Sequence, residues 1–330
     1  MSGEFPELRM RRLRRNRILA ESVKETSLEA RQMIMPLFVI PGTGKEIPVK
    51  SMYEVFHRTP DMLPEAVDSA MKEGIRSFLL FGIPSYKDGS GTSADDMDEP
   101  VQKGLKLLKD KYGKDIFLVT DVCMCEYTDH GHCGILDGCG DVDNDATLPR
   151  LADIAVSHAS AGADMVAPSA MMDGQVRAIR AGLDREGFSN VPIMSYSTKF
   201  KSAFYGPFRN AAGSSPSFGD RSTYQMASTN AREALRESLM DEEEGADILM
   251  VKPGLLYMDI IARLREKTML PLATYLVSGE YMMLRSAIAA GTLDEKSGLL
   301  ESHLALRRAG ADMIITYAAA DVARLIRQGI

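Results

Sequence analysis

The feature that most constrains this chain is a joint that recurs three times. Ala161–Ser169 reads AGADMVAPS, Glu244–Lys252 reads EGADILMVK, and Ala309–Tyr317 reads AGADMIITY. Each sets Gly-Ala-Asp directly before a short apolar run, and Glu73–Gly82, EGIRSFLLFG, is a looser copy. Glycine suits the left-handed turn that stops a helix, so a strand can begin at once. Apolar run, polar loop and helical pattern alternate along the whole chain. They predict eight strands, at 33–40, 77–82, 116–121, 165–169, 193–199, 248–252, 272–277 and 313–318. These runs are apolar nearly throughout, as in a parallel sheet covered on both faces. Eight strands alternating with helices through a repeated joint predict an α/β fold, a (β/α)8 TIM barrel. A doubly wound open sheet is the alternative. Against it, no GxGxxG follows the first strand, and PGTGKEI at 41–47 matches neither that motif nor a Walker-type phosphate loop.

Two segments exceed a minimal barrel. Residues 1–30 are basic and helix-prone, which predicts an N-terminal arm ahead of a catalytic barrel at 31–330. Residues 200–225 form a Gly/Ser-rich excursion that carries several aromatics, Arg209 and Arg221. A loop that long inside a compact domain is functional or disordered, and its arginines and aromatics favour function. The net charge of −7 argues against nucleic acid as the main partner. No apolar run approaches the ~20 residues of a membrane span. The segment at 9–25, RMRRLRRNRILAESVKE, has the basic character of a transit peptide, but its acidic residues weaken that reading. A cytoplasmic, reducing setting is expected. Disulfides are rare there, so the cysteines are ligands, nucleophiles or bystanders.

In a barrel of this kind the chemistry lies at the carboxyl ends of the strands. Those ends offer Asp121, Ser169, Lys199, Lys252, Ser278 and Tyr317. A lysine closing an apolar strand is poorly hydrated, and a second ammonium nearby disfavours its charge further. Both effects release a neutral amine, the nucleophile for a Schiff base. A single lysine could simply snorkel to solvent, but two, in line with Asp121, point to chemistry. Just after Asp121 comes DVCMCEYTDHGHCG (121–134), with three of the chain's four cysteines, Cys123, Cys125 and Cys133, beside His130 and His132. Their spacing matches no paired structural zinc motif, and three ligands leave a position open. A catalytic zinc site, a structural site completed by Cys139 or a histidine, and chance clustering all stay open on spacing alone.

Several long motifs, in order, resemble the porphobilinogen synthase (5-aminolevulinate dehydratase) family over essentially the whole chain. They are RLRRN, DVCMCEYTDHGHCGIL, APSAMMDGQVRAIR, YSTKFKSAFYGPFR, GDRSTYQM, GADILMVKPG, VSGEY and ADMIITYAA. The resemblance implies a barrel with an amino-terminal arm, assembled as a homo-octamer, that condenses two molecules of 5-aminolevulinate into porphobilinogen for tetrapyrrole (heme) biosynthesis. It implies Schiff bases on Lys252 and Lys199. It also implies one carboxylate held by Arg209 and Arg221 with Gln225 nearby, and the other held by Ser278 and Tyr317. Asp121 and Ser169 become proton-handling or hydrogen-bonding groups, and 200–225 becomes a lid. Cys123, Cys125 and Cys133 place the chain with the zinc-dependent members, and Glu237 matches an allosteric magnesium ligand. Two rival functions are a lysine-imine aldolase and a nucleic-acid-binding protein with a basic arm and zinc knuckle. The aldolase leaves the second lysine and the cysteines unexplained, and the acidic balance counts against the second.

Overall fold

In the computed structural model, which describes residues 7–329, the chain forms ten strands. The first, β1 (Met33–Val39), leads into a short hairpin, β2 (Glu46–Pro48) and β3 (Phe56–Arg58). Then follow β4 (Ser77–Gly82), β5 (Phe117–Val122), β6 (Met165–Pro168), β7 (Met194–Lys199), β8 (Ile248–Lys252), β9 (Leu272–Leu276) and β10 (Met313–Thr316). Eight of them pair in parallel in the order β6-β5-β4-β1-β10-β9-β8-β7. Strands β6 and β7 meet through a single bridge, Val166 with Ile193, which closes the ring. The eight predicted strands are all present, with ends shifted by at most two residues. The hairpin is an addition: β2 is three exposed residues with no apolar alternation to announce it.

Helices cover the outside of the wall, among them α2 (Leu63–Glu73), α3 (Pro100–Tyr112), α4 (Asn144–Ala161) and α5 (Gln175–Arg185). Their apolar faces bury residues such as Leu63, Leu105, Leu151 and Ile179 against the strands. This two-layer burial is why the strands are apolar on both sides.

The repeated joint works as a clasp. Gly162, Gly245 and Gly310 stop their helices at φ of 108°, 105° and 120°, where only glycine is unstrained. The aspartate two residues on then grips the neighbouring strand. Asp164 Oδ2 accepts from the Leu118 N–H at 2.7 Å, Asp247 Oδ2 from Ile193 at 2.8 Å, and Asp312 Oδ2 from Leu272 at 2.9 Å. Each aspartate N–H donates back to the carbonyl of that same residue, at 2.8, 2.9 and 2.7 Å. The sequence Gly-Ala-Asp thus both ends a helix and fixes the register of a strand pair at the amino end of the barrel.

Of the arm, residues 1–6 lie outside the described residues. The rest carries a 3-10 turn, Met10–Arg14, and a short helix, α1 (Arg17–Ser22), neither with a buried residue. The segment 200–225 is more structured than its composition suggests, with a 3-10 turn at Ala203–Tyr205 and a helix, α6 (Gly206–Ala212). Pro207 in the first turn of α6 presets its geometry. The hairpin pins this segment: His57 Nε2 lies 2.7 Å from the Ala211 carbonyl, and Ser51 Oγ donates to the Pro207 carbonyl at 3.0 Å.

Candidate active site

Strands β7 and β8 end side by side, and their parallel register pairs Lys199 with Lys252. Both lysines are buried, each only 5% exposed, so neither snorkels to solvent. Around Lys252 Nζ stand four aromatic rings: Tyr275 at 4.5 Å from the centroid, Tyr196 at 4.8 Å, and Tyr205 and Phe208 at 5.3 Å. Ring faces attract a cation, but they hydrate it poorly. Burial first, then the Lys199 charge, bring the Lys252 amine down to about 7. Lys199 departs from the expectation of two depressed amines. Burial lowers it, but Cys133, Cys123, Cys125 and Asp121 outweigh that and hold it above the ordinary lysine value. Its Nζ donates to the Ser169 carbonyl at 2.5 Å.

Asp121 lies on β5 and accepts from Ser169 Oγ at 3.1 Å. Burial and the neighbouring Glu126 carboxylate raise Asp121 to about 7, against the pull of the two lysines. The loop after β5 folds back so that Cys123, Cys125 and Cys133 present their sulfurs within 4.8 Å of one another, all buried. Cys123 and Cys125 Sγ are 3.4 Å apart. Hydrogen bonds from Cys123 and Cys125 pull the Cys133 thiol well below its usual range, whereas burial pushes Cys123 up. Three convergent soft donors fit a thiophilic metal such as zinc. The histidines do not join the cluster. His132 sits between Tyr224 OH and the Phe218 carbonyl, each at 3.1 Å, and His130 Nε2 is 3.3 Å from the Gly89 carbonyl. Cys139 is exposed and apart.

The two arginines come from the lid. Arg221 is buried and donates to the Gly131 and Ser214 carbonyls, and the neighbouring cysteines reinforce its charge against the cost of burial. Arg209 sits on α6 with its Nε unpartnered among the described residues. A cavity is lined by both lysines, Asp121, Ser169, Cys125, Glu126 and both arginines, under Phe208 and Tyr205. It measures about 10 Å³, room for about one water.

Three of the predicted substrate-binding residues lie outside that cavity. Gln225 lines a separate space of about 570 Å³ together with Glu237, Glu233 and Asp173. Ser278 is engaged by the lid: its Oγ accepts from the Phe208 N–H at 3.0 Å and donates to the Phe204 carbonyl at 3.3 Å. Tyr317 OH takes a hydrogen bond of 2.9 Å from Tyr275, one ring removed from Lys252. Glu237, on α7 (Ala231–Glu244), is half-buried and raised to about 7 by burial, then by Asp241, Asp173 and other carboxylates. Sequence reasoning passed over Glu126 and the aromatic cage. A carboxylate inside a cysteine loop signals the first, but the cage is assembled from separate strands and the lid.

The fold and this site define a (β/α)8-barrel enzyme whose reactive groups converge at the carboxyl ends of its strands. The comparisons narrow that class. Residues 7–325 match the family model described as delta-aminolevulinic acid dehydratase. Proteins of that name from Archaeoglobus fulgidus and Synechococcus elongatus are 49% and 50% identical to this chain. The first match spans 98% of this chain and 100% of the relative, the second 97% and 99%. A crystal structure of delta-aminolevulinic acid dehydratase (porphobilinogen synthase) from Toxoplasma gondii, in complex with the product porphobilinogen, superposes with a TM-score of 0.95. It is 41% identical and covers 98% of this chain and 92% of its own. The chain belongs to the delta-aminolevulinic acid dehydratase family and is a lyase.

Proposed function

We propose that this enzyme joins two molecules of 5-aminolevulinate into porphobilinogen, with loss of two waters, through imines on Lys252 and Lys199. One observation carries the reading: two buried lysines stand in register on adjacent strands, in a cavity that Cys125 of the three-thiol cluster also lines. Lys252, with its amine near 7, is ready to attack a ketone carbon, and the carbonyl oxygen leaves as water. Lys199 takes the second substrate. Asp121 and Ser169, hydrogen-bonded to each other beside Lys199, hold and pass protons there. Arg209 and Arg221 orient one carboxylate, since guanidinium forks match carboxylates in geometry and charge. Ser278 and Tyr317 take the other once the lid gives up its bonds to Ser278. Holding both substrates in this way removes much of the entropic barrier to joining them.

Cys123, Cys125 and Cys133 would hold zinc, which acts as a Lewis acid toward a substrate oxygen. Glu237, with Asp173 facing it, would hold magnesium, which keeps most of its waters and needs only one or two carboxylates. The exposed Leu8, Met10, Leu13 and Ile18 of the arm suit a second copy of the chain, in keeping with an octamer. A reducing cytoplasm would keep the three thiols available. Incubation with 5-aminolevulinate should yield a pyrrole, and borohydride added with substrate should leave a reduced adduct on Lys252 by peptide mapping. Label on neither lysine would overturn the imine route.

A further inference from the structure

Glu280 is fully buried, yet the proposed chemistry gives it no part. Its carboxylate is met by three backbone N–H groups. Val277 donates to Oε2 at 3.0 Å, Gly254 to the same oxygen at 3.3 Å, and Leu256 to Oε1 at 3.2 Å. Burial raises the carboxyl to about 7 against the pull of these donors. A buried carboxylate is costly, and charge-assisted bonds from the backbone offset that cost.

The donors come from two places. Gly254 and Leu256 follow Lys252 on the loop leaving β8, and Val277 stands between the end of β9 and Ser278. The ladder between β8 and β9 runs only as far as the pair Val251–Thr274. Above that pair, Glu280 does for the two strand ends what ladder bonds do below. The approach there is close: a Cβ on Gly254 would stand 2.8 Å from Thr274 Oγ1 and 3.1 Å from the Tyr275 carbonyl oxygen. One side chain thus holds the backbone beside Lys252 against the backbone beside Ser278. In 5-aminolevulinate, two methylenes separate the ketone carbon from the carboxylate. We propose that Glu280 is a positioning residue that sets the span from the Lys252 amine to the Ser278 hydroxyl and so selects keto acids with that two-methylene spacing. The inference rests on the substrate reading above, in which Lys252 takes a ketone and Ser278 the carboxylate of the same molecule.

The test traps simple keto acids on the full-length enzyme with borohydride, at about pH 8, where Glu280 is ionised and the Lys252 amine largely neutral. Levulinate and its homologue with one more methylene, 5-oxohexanoate, compete as an equimolar pair. The mass of the Lys252 peptide tells their adducts apart. Butanone, which has no carboxylate, reports the amine alone. The unaltered enzyme should favour levulinate by about tenfold or more. In Glu280→Gln the amide offers one oxygen to three donors, and its own N–H groups face them. The preference should then fall at least about fivefold, with butanone trapping kept within about twofold. Glu280→Asp keeps the charge but shortens the reach, and should lose part of the preference; it carries the comparison where Glu280→Gln does not fold. A general loss of stability lowers both adducts alike and leaves their ratio unmoved. No adduct on Lys252 of the unaltered enzyme overturns the imine reading and this inference with it. Where adducts form, equal trapping of the two acids by the unaltered enzyme, or a preference kept in full by the Glu280 variants, overturns this inference alone.

Discussion

Lys199 and Lys252 occupy matched positions on adjacent strands, yet their surroundings pull their amines apart. Lys252 is lowered to about 7 by burial and by Lys199, and Lys199 is held high by the thiols and Asp121. A lowered amine is nucleophilic above its folded value, so the rate of borohydride trapping at Lys252 should rise as pH passes through about 7. Lys199→Met removes the positive neighbour that helps depress Lys252. The rising limb should therefore move to higher pH in that variant while trapping at Lys252 persists. A limb that stays in place would show that burial alone sets the amine. The lysines were legible in sequence because each closes an apolar strand. Their inequality was not, since the charges that split them arrive on a separate loop.

At the scale of elements, the Gly-Ala-Asp clasp explains why the strands could be read and the pairing could not. Apolar length marks a strand, but the aspartate's target, an N–H at the amino end of the preceding strand, appears only once two strands lie together. Asp164 accepts from Leu118 and pairs with Lys109 at 2.6 Å, at the end of the barrel away from the lysines. Asp164→Ala strips a buried N–H of its acceptor and should cost about 1–3 kcal/mol. A lower urea midpoint with unchanged activity per folded molecule is the expected result; an unchanged midpoint would refute the clasp. The lid was legible as a segment through its length and composition. Its α6 and its hold on Ser278 were not, because both depend on packing against the hairpin and on α8 (Ser278–Ala289).

For the whole molecule, the arm has apolar side chains with nothing among the described residues to cover them. Ile18 is 78% exposed and Met10 68%. Deleting residues 1–30 should yield smaller assemblies with reduced activity, although every group in the lysine cavity remains; light scattering beside the pyrrole assay checks both. Magnesium bound at Glu237 should favour the larger assembly by mass action, raising mass and activity together in the intact protein. Glu237→Ala should lose that response and still form the imine. Flat mass and activity across a magnesium titration of the unaltered protein would refute it.

The ring of strands is nearly a slit tube, since one bridge joins β6 to β7. A closed tube resists torsion, and a slit one yields by sliding its two lips past each other. Here one lip carries Ser169, with Asp121 on the strand beside it and the thiols on the loop that follows, and the other carries Lys199 and then Lys252. Across the top, the lips are tied by the 2.5 Å bond from Lys199 to the Ser169 carbonyl. An imine on Lys199 would keep at most one N–H of the ammonium's three, which would loosen that tie. Torsion of the wall would then become travel between the amine side and the thiol side.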